Sequence, residues 1–60
     1  MKTYYCNGYL FYYDFYLRLW TIYKASPNGD QLQDEADHYS NKQQLLSAYP
    51  DLKFTLYNKE

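Results

Sequence analysis

Hydrophobic and polar positions alternate most clearly between Tyr9 and Lys24, a segment without Gly, Pro or Asn. Its odd positions, Tyr9, Phe11, Tyr13, Phe15, Leu17 and Leu19, form an unbroken apolar face. Its even positions, Leu10, Tyr12, Asp14, Tyr16, Arg18, Trp20, Ile22 and Lys24, mix rings with charges. A period of two predicts strand rather than helix. As one straight strand the segment would extend roughly 50 Å, whereas a chain this short has a radius of gyration of about 10 Å. It is therefore expected to bend or break, with a bulge near Asp14 or Arg18.

Two Asn-Gly pairs predict hairpins. Asn7-Gly8 lies between Thr3–Cys6 and Tyr9–Tyr12, whose aromatic residues suit strands. The second turn is Ser26-Pro27-Asn28-Gly29. Pro27 presets the first central position of a type I turn, and Gly29 can take the left-handed bulge position. This register pairs Ser26 with Asp30 and Leu32 with Lys24, and puts Trp20, Ile22, Leu32 and Ala36 on one face. A turn centred on Asn28-Gly29 would instead move Leu32 to the other face. The first half of Tyr9–Lys24 is expected to pair with Thr3–Cys6, and the second with Asp30–Ala36.

Ser40-Asn41-Lys42-Gln43 fits a capping box. Leu45, Leu46, Ala48 and Tyr49 then give a one-sided apolar stripe that Pro50 ends. In Leu52–Tyr57 the alternation of Leu52, Phe54 and Leu56 with polar residues predicts a half-buried strand facing the helix. The expected fold is α+β: a small antiparallel sheet of about four strands with one helix on one face, in the order β-β-β-α-β. All 60 residues are expected to form a single domain.

Composition sharpens where this fold is weak. Apolar residues make up 47% of the chain, yet ten of them are Tyr, and the aliphatic and Phe content is eight Leu, one Ile and three Phe. Such a core is thin, and a 60-residue domain buries only about 60% of its unfolded surface. One helix can cover only one sheet face, so rings on the other are expected to be exposed. A contiguous apolar patch normally marks an interaction site, and Tyr and Trp suit interfaces because they join a large area to a polar tip. The reading is a protein interface, through a homodimer or another protein target, with Tyr12, Tyr16, Arg18 and Trp20 sharing the strand face that carries it.

The formal net charge is −1, which provides no field for holding duplex nucleic acid or an anionic membrane. The lone Cys6 cannot form an intrachain disulfide; with no apolar leader-like run before Asn7, the expectation is a soluble cytoplasmic protein. Rings interleaved with cations could stack single-stranded bases through Tyr12, Tyr16 and Trp20. Asp14 interrupts that stripe, so single-strand binding ranks below the protein interface.

Other candidate chemistry is sparse. Asp30, Asp34, Glu35 and Asp37 form an acidic segment that could dock a basic surface, or serve only as a solvated loop near a helix N-terminus. Asp34, Asp37 and His38 lack the spacing of a calcium loop and the Cys or second His of a zinc site, so no metal or other cofactor is expected. Cys6 and His38 are the only nucleophile–base pair, and Cys6 lies beside a hairpin turn rather than at an activating helix N-terminus. No phosphate loop or nucleophile elbow is present. The chain is read as a non-enzyme.

From Trp20-Thr-Ile-Tyr-Lys through Asn28-Gly29-Asp30, Ala36-Asp-His-Tyr39 and Gln44-Leu-Leu-Ser-Ala-Tyr-Pro50, the sequence resembles small phage-encoded proteins of the host-defence-inhibitor type. The resemblance implies a compact protein that binds and blocks a host factor, such as a component of an anti-phage defence system. A structural subunit of a larger assembly is the remaining expectation.

Overall fold

The alternating segment resolves into two strands folded back on each other. In a computed structural model describing residues 2–57, the elements are β1 (Thr3–Cys6), β2 (Tyr9–Asp14), β3 (Leu19–Lys24), β4 (Asp37–Tyr39) and a helix α1 (Lys42–Ala48). The strands form an antiparallel meander in the order β1-β2-β3-β4. The fold is α+β, with the helix after all four named strands. The Cα radius of gyration is 10.7 Å, which is why sixteen residues of extended chain must turn back rather than bend. No helix among the described residues is long and apolar enough to cross a membrane.

Local chemistry explains the two predicted turns. Asn7 and Gly8 both take positive φ, 54° and 80°, as a type I′ turn requires. At the second turn the Gly29 N–H donates to the Ser26 carbonyl at 2.9 Å, and Gly29 takes φ 90°. The Ser26 N–H reaches the Asp30 carbonyl at 2.9 Å and the Leu32 N–H reaches Lys24 at 2.8 Å, so the type I register with a glycine bulge is the one formed.

That register does not continue into a strand over Asp30–Ala36. Extended unchanged, it would set Ile22 opposite Asp34, but Ile22 pairs with Asp37, so three residues are looped out. Glutamine side chains replace the backbone here. The Lys24 N–H donates to Gln33 Oε1 at 2.8 Å, and Gln31 and Gln33 amides cap the carbonyls of Gln33 and Glu35. With those ladder groups satisfied by side chains, pairing resumes only at β4. Leu32 is exposed rather than on a face shared with Trp20 and Ile22.

The helix starts one residue later than the capping box predicted. Asn41 is the N-cap, accepting from the Gln44 N–H at 2.8 Å, and Gln44 Oε1 accepts from the Ser40 N–H at 3.2 Å. Leu45 is fully buried against Phe11, Ile22 and Leu52. Around this cluster lie Tyr4, Tyr9, Trp20, Tyr39, Tyr49 and Phe54. Rings therefore supply much of the core wall that aliphatic residues would otherwise form.

The segment after α1 is not a full strand. The Thr55 N–H donates to the Lys53 carbonyl at 3.0 Å, a γ-turn centred on Phe54. It swings the Phe54 ring inward, where it meets Tyr4, Phe11 and Trp20 at 5.0, 5.2 and 5.7 Å. Only a short stretch then pairs with β1, through Tyr5 N–H to Thr55 O (3.0 Å) and Tyr57 N–H to Thr3 O (2.8 Å). Leu56, expected to face the helix, is exposed beside Tyr4.

Tyr49 ties α1 to β4. Its hydroxyl donates to Asp37 Oδ2 at 3.0 Å. Burial first, and this hydrogen bond next, hold its phenol well above the ordinary value. The unfolded chain thus ionises at a lower pH than the native one, so this stability is present below about pH 10 and falls as pH rises beyond it. Tyr49→Phe is expected to flatten that alkaline fall in urea midpoints while losing about 0.5–1.5 kcal/mol at neutral pH. An equally steep fall in the variant would refute the assignment.

Candidate interaction surface

The link between β2 and β3 is the least expected part of the chain. Asp14 Oδ1 accepts from the N–H groups of Tyr16 (2.9 Å) and Leu17 (3.1 Å), an Asx-type turn. Arg18 closes it with φ 56°, a conformation that side chains with a Cβ adopt at a penalty. Phe15, Tyr16 and Leu17 stand 72%, 99% and 57% exposed. Turn chemistry needs none of these three side chains, and water disfavours Phe and Leu. Arg18→Gly is expected to stabilise the fold by roughly 1 kcal/mol, read as a melting temperature higher by about 4–8 °C. A lower melting temperature would show that the Arg18 backbone is not strained.

Beside this tip lies an apolar depression of about 360 Å³, lined by Lys2, Tyr4, Tyr13, Phe15 and Trp20. Tyr13 meets Phe15 edge-on at 5.1 Å and 78°, and Trp20 at 5.6 Å and 68°. Trp20 in turn meets Phe54 at 86°. Lys42, at the start of α1, holds its Nζ 4.4 Å above the Phe54 ring. Three cations, Lys2, Arg18 and Lys42, therefore belong to this end of the sheet.

The four aromatic-face candidates are not on one face. Asp14 pairs with Leu19 across the hairpin, so Tyr13 faces Trp20 and Tyr12 faces Thr21. Tyr12 thus lies on the side of the sheet away from the helix. Tyr16 and Arg18 project at the tip, while Trp20 is half-buried on the helix side against Tyr13 and Phe54. Phe15 and Leu17, expected on a strand face, belong to the turn instead.

The far face is less bare than one helix would leave it. Leu10, Thr21 and Ala25 are buried there. Tyr5 donates to the Ala25 carbonyl at 3.2 Å, and Tyr57 lies 5.8 Å from Tyr5 and donates to the Pro27 carbonyl at 3.3 Å. Tyr12, Tyr23 and Tyr57 with Thr3, Leu10, Asn28 and Gly29 line a shallow depression of about 380 Å³. Burial, reinforced by Tyr12 and Tyr57, raises the Tyr23 phenol. The chain's own tyrosines, with the Ser26–Gly29 turn, form this cover.

Asp30, Asp34 and Glu35 are exposed on the β3–β4 connection. They lie at the opposite end of β3 from the tip, about 20 Å away for a six-residue strand. Asp37 is on β4, bonded to Tyr49. The structure does not join the acidic segment to the aromatic tip.

Nor does it gather Asp34, Asp37 and His38. Asp37 and His38 are consecutive strand residues on opposite faces, and His38 Nδ1 is bonded to Thr21 Oγ1 at 3.1 Å. No cluster of three His, Cys, Asp or Glu side chains that could hold a metal ion occurs among the described residues. Cys6 accepts from the Lys53 N–H at 3.3 Å on the helix side of β1. His38 lies three strand spacings away, about 14 Å, on the other face, so the two do not form a nucleophile–base pair. The interaction surface has only its own chemistry to identify it, because no family model, no curated protein and no solved structure matches the chain.

Proposed function

We propose that this chain is a non-enzymatic binding protein that occludes a protein target by seating its β2–β3 tip and the adjoining ring-lined groove on it. One observation carries the reading: three consecutive large side chains, Phe15, Tyr16 and Leu17, are spent on an exposed turn that does not need them. Loops held on a rigid scaffold are where binding residues concentrate. In keeping with the phage resemblance, the proposed target is a host protein, such as a component of anti-phage defence. A stacking platform for single strands draws less support, since Tyr12 and Trp20 lie on opposite faces.

The test is a pull-down from host lysate with the parent chain and with a Tyr16→Ala/Leu17→Ala variant. A protein retained by the parent and lost by the folded variant supports the reading. Equal retention by both overturns it. Light scattering on the free chain reports self-association as a mass near twice 7.4 kDa, and loss of that mass in the same variant would assign it to the tip.

A further inference from the structure

We infer that the partner segment taken by this tip is acidic: an apolar peptide flanked by carboxylates. This rests on the binding role proposed above and adds the charge of the partner to it. Among the described residues the charges are spread unevenly between the two ends of the sheet. Lys2 lines the groove, Arg18 closes the tip and Lys42 caps the Phe54 ring behind Trp20. The one carboxylate among the described residues of this end, Asp14, is turned into the hairpin, where two backbone N–H groups occupy the same oxygen. Asp30, Asp34 and Glu35 lie at the other end of the sheet, and the Asp51 carbonyl sits 4.0 Å from Cys6 Sγ, beside the β1–β2 turn.

Lys24 and Lys53 also lie at that other end, so among the described residues the ring-lined end is cationic and the other carries a mixed, net acidic set behind the formal charge of −1. Opposite charges across an interface raise the encounter rate and exclude like-charged partners. A symmetric pair of tips would bring two cationic patches together, which disfavours a second chain as the occupant. Single-stranded bases would find rings at 68–86° to one another rather than a row of parallel faces. An acidic peptide with apolar anchors fits both the apolar groove and its rim.

The test is fluorescence anisotropy with three labelled probes: a peptide of Leu residues separated by Glu pairs, the same peptide with Lys for Glu, and an oligothymidylate. The acidic peptide is expected to bind, to weaken as salt rises, and to weaken roughly tenfold or more on Lys2→Glu with Arg18→Glu. Both substitutions are at exposed positions, and circular dichroism verifies that the variant is folded. Equal binding of the two peptides, with loss on Phe15→Ala, overturns the acidic partner while leaving the tip as the binding site. Acidic binding that survives Phe15→Ala and Leu17→Ala overturns the tip, and this inference with it. Failure of both peptides to bind, or preference for the oligothymidylate, also overturns the inference.

Discussion

Phe11→Ala is expected to leave the chain largely unfolded at room temperature. The ring is fully buried, stacked on Tyr4 at 5.5 Å and met edge-on by Phe54 at 5.2 Å. Truncating a buried Phe typically removes about 3–5 kcal/mol, part of it through the cavity left behind. A 60-residue chain at 0.05–0.15 kcal/mol per residue holds only about 3–9 kcal/mol in all. The other members of the buried cluster, Ile22 of β3, Leu45 of α1 and Leu52 of the segment after the helix, converge on this one ring. Far-ultraviolet circular dichroism and amide dispersion check the expectation. A cooperative melt within a few degrees of the parent would contradict it.

Trp20→Ala and Tyr16→Ala should separate folding from binding. Trp20 is half-buried and packs on Tyr13 and Phe54, so its truncation is expected to remove about 2–3 kcal/mol. Tyr16 is 99% exposed, and its truncation is expected to change stability by no more than about 0.5 kcal/mol. Denaturant midpoints of the two variants decide the matter. A large loss in Tyr16→Ala would mean that the tip holds the hairpin together. Only the Tyr16 variant can report on partner binding, because a loss in Trp20→Ala would mix unfolding with recognition.

The two Asn-Gly turns were legible in the sequence because their chemistry is local. Asn7, Gly8 and Gly29 take the left-handed conformations that those residue types permit. The Phe15–Arg18 turn has no such mark. Its only sequence cue is Asp14, a residue type favoured at the first position of a turn, and tertiary pairing overrides an apolar alternation that runs straight through it. This one turn also decides the candidate site. A four-residue link pairs even positions of β2 with odd positions of β3, so Tyr12 and Trp20 part company although they share parity along the chain. The delayed fourth strand was hidden for a related reason. Gln33 satisfies the Lys24 backbone through its side chain, which no hydrophobic pattern records. Phe54 was read correctly as an inward-facing position of a half-buried segment, but the γ-turn that aims it at the core is fixed by the packing of Tyr4, Phe11 and Trp20 around it.

The position of Phe54 bears on what a partly folded chain exposes. The meander follows chain order, so each named strand pairs with the next one along the sequence. The rings of Tyr4, Phe11 and Trp20 nevertheless wait for Phe54, roughly fifty residues after Tyr4, to close over them. A partly folded chain in which the Phe54 segment is undocked therefore exposes the aromatic side of an otherwise paired sheet, the kind of surface through which partly folded chains stick to one another. Here the choice of tyrosine over phenylalanine acquires a second meaning. At Tyr4, Tyr9 and Tyr39 a hydroxyl keeps the waiting surface wettable, and it still allows the ring to pack once the last piece arrives.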